Sequence, residues 1–437
     1  MPTPFTPLAP LTAARMFIEK FQTPACLLIA VSGGSDSIGL LLALHETVQK
    51  SGRRDISLQA VTIDHALRAE SAEEARVVAA FCARLGIPHH IRRWNGEKPS
   101  TGISAAARLA RYALIADVAE KIGADAIVVG HTHGDQQETI AMRNGRSARA
   151  DNLGLSGMAD AVLYHSRHWI LRPFLAVTRA DIRNYLQDIG ETWIDDPSND
   201  DRKYERVRVR HALSAGSDNK TLGEVRGSIS ARAAEWIERF VTAHSLIIIE
   251  IDPAGVNEDA AVLRHALSAL SSVVGGRSFG LASETMDRVM AFALSGEAGR
   301  MTASRTVFDR RSGGLFLYRE SRDVEVLMLP AKESKVWDGR FEITNSLSQE
   351  VVVRGGDEAA CDIVLSAKLP RGVIKRAFLS APVIETGEER QSALTMTGIS
   401  TQPVLAPYDL FLPRFDLELA SCIAKLFKRE AYPQLPV

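Results

Sequence analysis

The chain reads as an α/β protein: a Rossmann-like parallel sheet first, then mostly helical and mixed α+β segments. Three observations predict this. From Cys26 the apolar, partly β-branched run CLLIAV has the pattern of a strand buried on both faces. It is followed by SGGSDS (Ser32 to Ser37) and then by apolar residues at helical spacing from Ile38 through Leu44 to Val48. Strand and helix patterns keep alternating to about Gly190, and the 437-residue length exceeds what one core holds, so further domains follow.

Gly33 and Gly34 let the backbone bend sharply between strand and helix and approach a ligand closely. Ser32, Ser35 and Ser37 add hydroxyls, and Ser35 or Asp36 is expected to cap the helix. Backbone N–H groups at a helix N-terminus form an anion site, so phosphate is the expected ligand. The Gly-Lys-Ser/Thr ending of a Walker A loop is absent. The string resembles instead the PP-loop of the ATP pyrophosphatases, which cleave ATP to AMP and pyrophosphate during substrate adenylation. That resemblance implies ATP held by Ser32, Gly33, Gly34, Ser35, Asp36 and Ser37. An Asp inside the loop repels anions unless a divalent cation bridges it to the pyrophosphate, so Asp36 is the expected Mg2+ ligand.

Lys and Arg number 52 against 53 Asp and Glu, for a net charge of -1. This balance excludes a surface coated in positive charge while leaving room for local nucleic-acid patches. The four cysteines (Cys26, Cys82, Cys361 and Cys422) form no CxxC pair, which argues against a zinc ribbon, an Fe–S ligand set or a redox pair. No apolar run reaches the length of a membrane span, and the N-terminus lacks the pattern of a signal peptide. A cytoplasmic protein with no membrane association is expected.

Leu58 to Ile63 reads as a second strand ending in Asp64-His65, where the adenosine part of a nucleotide could lie beyond the strand end. Ser71 and Glu74 have capping-box spacing at the start of the next helix, which stops at Gly86. Ile87 to Trp94 is a further strand, and Ile103 to Ile122 a long helix with Arg108 and Arg111 on one side. After a strand at Ala126 to Val129, Asp135 and Glu138 share a face at the start of another helix. Such acids commonly serve the helix dipole, but their place beyond a strand end of the same sheet favours a site role. Arg143, Arg146 and Arg149 fall in a basic loop suited to phosphates of a large partner. Thr178 opens a helix with a T-x-x-D box ending at Asp181. The acidic Trp193 to Asn199 turn then leads to a run containing Arg202, Lys203, Arg206, Arg208 and Arg210. Such a run is either a solvated helix face or a phosphate-contact surface.

The ordered set is similar to the tRNA(Ile)-lysidine synthetase family over roughly residues 24 to 213. It comprises SGGSDS, Asp64-His65-x-Leu67-Arg68 and Ala107-Arg108-x-x-Arg111-Tyr112, then His131-x-x-x-Asp135-Gln136-x-Glu138-Thr139, Leu171-Arg172-Pro173 and Asp196-Pro197-Ser198-Asn199 to Arg210-His211. The resemblance implies ATP-dependent adenylation of the wobble cytidine of a CAU-anticodon tRNA(Ile), followed by attack of the L-lysine ε-amine. It implies Asp36, Arg108, Asp135 and Glu138 as catalytic, and Asp64 and His65 with the loop as ATP-binding. Arg143, Arg146, Arg149, Arg206 and Arg208 would be tRNA-binding. The chain departs from the family at Thr132, between His131 and His133, in the RNGRSARADN loop, and at Val207 where the family has Asn.

The expected division is a PP-loop catalytic domain over 1–213, a mainly helical tRNA-binding domain over 214–329 and a mixed α+β domain over 330–437. The polar stretch 214–223 would be a linker and Arg305 to Tyr318 a β-hairpin around Gly313-Gly314. Oligomeric state stays open, with a homodimer among the options. The alternatives are another PP-loop tRNA-modifying enzyme such as a 2-thiocytidine synthetase, and a binding protein with a decayed nucleotide site. The scattered cysteines disfavour the first and the intact acids the second.

Overall fold

The computed structural model describes residues 6–68, 70–146, 153–195, 220–356, 369–387 and 389–437. The chain forms two compact units, Met1–Glu224 with Pro433–Val437, and Val225–Tyr432.

In the first unit the expected strands and helices form where local pattern is strongest. Strands β1 (Ala25–Ala30), β2 (Ile56–Asp64), β3 (His89–Arg93), β4 (Ala126–Val129), β5 (Ala161–Tyr164) and β6 (His168–Leu171) lie in the order β5-β6-β4-β1-β2-β3. All neighbours are parallel except β5, which runs against β6. The chain winds from β1 outward to β3, then crosses to β4 on the other side of β1. Loops leaving β1 and β4 therefore diverge at a topological switch point, where open sheets of this kind bind ligands. Helices α1 (Pro10–Ile18), α2 (Ser35–Ser51), α3 (Ser71–Arg84), α4 (Ile103–Ile122), α5 (His133–Arg146) and α6 (Arg179–Asp188) complete the unit. Helix α2 packs on α1 and α6, and Gly39 makes the close approach possible: a Cβ there would lie 2.4 Å from Ile182 Cγ2. The C-terminal tail returns to this unit, where the Trp169 indole N–H donates to the Gln434 carbonyl at 2.9 Å.

A short polar chain ties β1, β2 and β3 together. The Thr62 hydroxyl donates to the Val31 carbonyl (2.8 Å) and so accepts from His89 Nε2 (2.8 Å), which must carry the ring proton. Burial, and then the neighbouring charge of His90, push the His89 pKa down to about 4. Neutral His89 therefore contributes stability that is complete above the unfolded value near 6.5 and is lost as pH falls from there toward 4. The thermal midpoint should drop across that window, and His89→Gln should flatten this part of the profile. An unchanged slope in the variant would reject the assignment.

The second unit holds α7 (Lys220–Phe240) from Val225 onward, α8 (Ala260–Gly275) and α9 (Ser283–Leu294) with a sheet of β7 (Val241–His244), β8 (Ile248–Ile251), β11 (Gly314–Arg319), β10 (Thr306–Arg311) and β9 (Gly299–Ala303). The expected hairpin is thus the centre of a five-stranded sheet. Of the expected linker, residues 214–219 lie outside the described residues, and 220–223 belong to α7. Two further sheets follow, one of four strands and one of three. Ile248, Phe316 and Tyr318 of the first sheet share one buried apolar cluster with Leu329, Trp337, Phe341 and Ile384, so a single core crosses position 330.

Candidate active site

The SGGSDS loop bends because Gly33 takes φ +89°, which L side chains rarely adopt. A Cβ there would also meet Ile194 Cδ1 at 2.8 Å, and the Ile194 N–H donates to the Gly33 carbonyl at 2.9 Å. The segment before residue 196 thus covers the loop. Ser37 is spent on shaping the turn: its Oγ accepts from the Ser32 N–H (3.1 Å) and donates to the Gly34 carbonyl (3.0 Å). Neither Ser35 nor Asp36 caps α2. Gly34 is the N-cap residue with no side-chain bond, and the Ser35 hydroxyl turns to Asp36 Oδ1 at 3.1 Å. The open N–H groups of this first turn stay available to an anion.

Asp36 is held by a residue that sequence reading missed. Arg179, first in α6, places Nε 3.2 and 3.1 Å from Asp36 Oδ1 and Oδ2 and Nη2 2.8 Å from Oδ2. Burial works against the Arg179 cation, yet the hydrogen bonds and charge of Asp36, followed by the charges of Asp135 and Glu138, hold its pKa above the ordinary value. Asp36 therefore has Arg179 as its direct partner, and the other two expected catalytic acids act on the same guanidinium through their charge. The loop after β4 is pressed against the one after β1: a Cβ on Gly130 would lie 2.9 Å from the Asp36 carbonyl oxygen.

Thr132, the departure between the two histidines, has a clear task. Fully buried, it donates both its N–H (2.9 Å) and its hydroxyl (3.0 Å) to Asp135 Oδ2 at the start of α5. This is a T-x-x-D arrangement like the one at α6, where the Thr178 hydroxyl accepts from the Asp181 N–H at 3.1 Å. Glu138 is buried one turn further along α5.

Asp64 and His65 do lie at the carboxyl end of β2, but Asp64 organises its own loop. Its Oδ1 accepts from the Ala66 N–H (2.8 Å) and from the Ser71 hydroxyl (2.6 Å). Burial alone would raise the Asp64 pKa, but these bonds and Arg93 hold it below the usual carboxylate value. The capping box expected at Ser71 does not form, because the buried carboxylate takes the hydroxyl. Glu74 pairs with Arg68 at 3.0 Å instead. His65 is lowered by burial and then by the charge of Arg111, so its ring is neutral at neutral pH. Its Nδ1 is buried with no hydrogen-bond partner, an orphan acceptor or donor beside Trp94, whose ring lies edge-on at 6.2 Å.

Arg108 is exposed with its guanidinium 5.0 Å from the Tyr112 ring centre. Burial would raise the Tyr112 phenol, but the charges of Arg108, Arg111 and Arg172 together bring it below its ordinary value. Arg172 is the buried member of this set: its Nε donates to His131 Nδ1 (3.1 Å), Nη1 to the Ala159 carbonyl (2.7 Å), and it also bonds Tyr112. Arg143 sends Nη1 to the Gly154 and Gly157 carbonyls at 2.8 and 2.7 Å and so braces the following loop. The Arg146 side chain, and Arg149, Arg206 and Arg208, lie outside the described residues.

Loop, switch point and the Asp36–Arg179 pair beside the loop define a nucleotide-binding α/β unit of the PP-loop class. The PP-loop domain family matches residues 11–216. The chain is 44% identical to the tRNA(Ile)-lysidine synthase of Rhizobium meliloti, over 99% of this chain and 98% of that one. Proteins of the same name from Mesorhizobium japonicum and Brucella anthropi are 39% and 34% identical, over 93% and 95% of this chain and 93% and 97% of theirs. The chain belongs to the tRNA(Ile)-lysidine synthase family.

Proposed function

We propose that the protein is a carbon–nitrogen ligase joining L-lysine to the wobble cytidine of CAU-anticodon tRNA(Ile). Cytosine O2 attacks the α-phosphorus of ATP and pyrophosphate leaves; the lysine ε-amine then attacks C2 and AMP leaves. The observation that carries this reading is the Arg179–Asp36 pair beside an anion-binding turn. The α2 N-terminus and Arg179 offer positive charge to the phosphates, and Arg108 can offset charge that develops during transfer. Neutral His65 and its orphan Nδ1 suit the adenosine part. Asp135, oriented by Thr132, and buried Glu138 suit the lysine ammonium groups or acceptance of a proton from the attacking amine.

Magnesium fits the donor set, which is carboxylate and hydroxyl oxygen. Among the described residues no group of three or more His, Cys, Asp or Glu forms a closed metal cage. Asp36 would hold the ion through its carboxylate, the class of ligand that magnesium takes. When bound it would shield the pyrophosphate charge.

Sulfur transfer is disfavoured. Cys26 and Cys82 lie in β1 and α3, and burial pushes the Cys82 thiol up to about 11, far from a reactive thiolate. Cys361 lies outside the described residues. We assign catalysis to residues 1–213 and tRNA grip to the segments 214–329 and 330–437. The basic residues Arg146, Arg149, Arg206 and Arg208 are proposed phosphate contacts, and the cytoplasm is the proposed location. Among the described residues no helix is long and apolar enough to cross a membrane.

Labelled lysine incubated with CAU-anticodon tRNA(Ile), ATP and magnesium tests the reading directly. Lysine incorporation matched by AMP and pyrophosphate release is expected. Pyrophosphate release without lysine transfer would overturn the nucleophile, and no turnover with any tRNA would overturn the enzyme.

A further inference from the structure

We propose that Arg179 is the resident counter-ion of Asp36 and passes from that carboxylate to the pyrophosphate group when nucleotide binds. This rests on the adenylating reading above. The Arg179–Asp36 pair joins residues 143 positions apart, and it lies at the mouth of the anion-binding turn rather than in the core. The Arg179 side chain keeps 36% of its exposure and Asp36 19%. Thr178 caps α6 immediately before it, so the base of the side chain is fixed while its guanidinium end remains reachable.

The geometry makes binding an exchange. Arg179 occupies both oxygens of Asp36, and Ser35 also donates to Oδ1. With donors on both oxygens, a cation must compete with the guanidinium for this carboxylate. A guanidinium fork fits phosphate oxygens as well as it fits a carboxylate, so releasing Asp36 frees a donor already aimed at the turn. The negative charges of Asp135 and Glu138 also act on this guanidinium. Without this cation a polyphosphate would enter an acidic field. A purely structural pair would instead be expected to stay closed and to influence folding alone.

The test is equilibrium binding of inorganic pyrophosphate and of ATP to the full-length protein by calorimetry, with and without magnesium, alongside thermal unfolding. Arg179→Gln should weaken pyrophosphate binding by about tenfold or more, the size of a lost charge-assisted contact, with Arg179→Lys retaining part of it. In metal-free buffer Asp36→Asn should bind pyrophosphate more tightly than the unmodified protein, because Arg179 is released, and the double variant should lose that gain. Unchanged pyrophosphate affinity in Arg179→Gln, or no metal-free gain in Asp36→Asn, overturns the proposal. If Arg179→Gln does not fold, Arg179→Lys and Asp36→Asn decide by the same criteria. If the unmodified protein binds neither ATP nor pyrophosphate, the adenylating reading itself falls and the proposal with it.

Discussion

Asp36→Ala protein is expected to release no measurable pyrophosphate in the presence of tRNA, lysine, ATP and magnesium. Removing one preorganised charge-stabilising group typically costs roughly 10²–10³ in turnover, and here the proposed cation ligand and the Arg179 partner are lost together. The fold should survive, because the pair is partly exposed and such pairs contribute about 1 kcal/mol or less to stability. Pyrophosphate release at the normal rate from a folded Asp36→Ala protein would remove Asp36 from the chemistry and reject the assignment.

Arg172→Ala should have the opposite signature, a large loss of stability that takes activity with it. Arg172 is 6% exposed and joins His131, the Ala159 carbonyl and Tyr112. Truncation removes the donor these groups share, and leaving such groups unsatisfied costs about 1–3 kcal/mol each, about 3–5 kcal/mol together. For a unit of this size that corresponds to a fall of roughly 6–20 °C in the thermal midpoint. Arg172→Lys should rescue little, since one ammonium cannot span donors fixed by a planar fork. Calorimetric unfolding checks both variants, and an unchanged midpoint in Arg172→Ala would show that the network is dispensable.

Local pattern carried much of the first unit in advance. The buried run before SGGSDS, the helix over Ile103–Ile122, the strand over Ala126–Val129 and the Thr178 cap all form as the sequence predicts, because neighbours within a few residues decide them. The β5–β6 hairpin escaped because its turn uses His165 and Ser166 at φ 50° and 55°, without the Asn-Gly or Asp-Gly pair that marks such turns. Ser71 matched a capping-box spacing, but its hydroxyl went to a buried carboxylate from another element, which outweighs a solvent-facing cap.

The sequence by itself determined the anion-binding turn, the order of strands and helices that carries it, and the residue types that reach the strand ends. Only the tertiary structure decided which of those residues meet. It set Arg179 on Asp36, turned Thr132 into the support of Asp135, spent Arg143 on the loop after α5, and carried one core across position 330. The physical reason is distance along the chain. Propensity and periodicity act over a few residues, whereas a buried charge takes whatever partner the folded chain brings within hydrogen-bond reach.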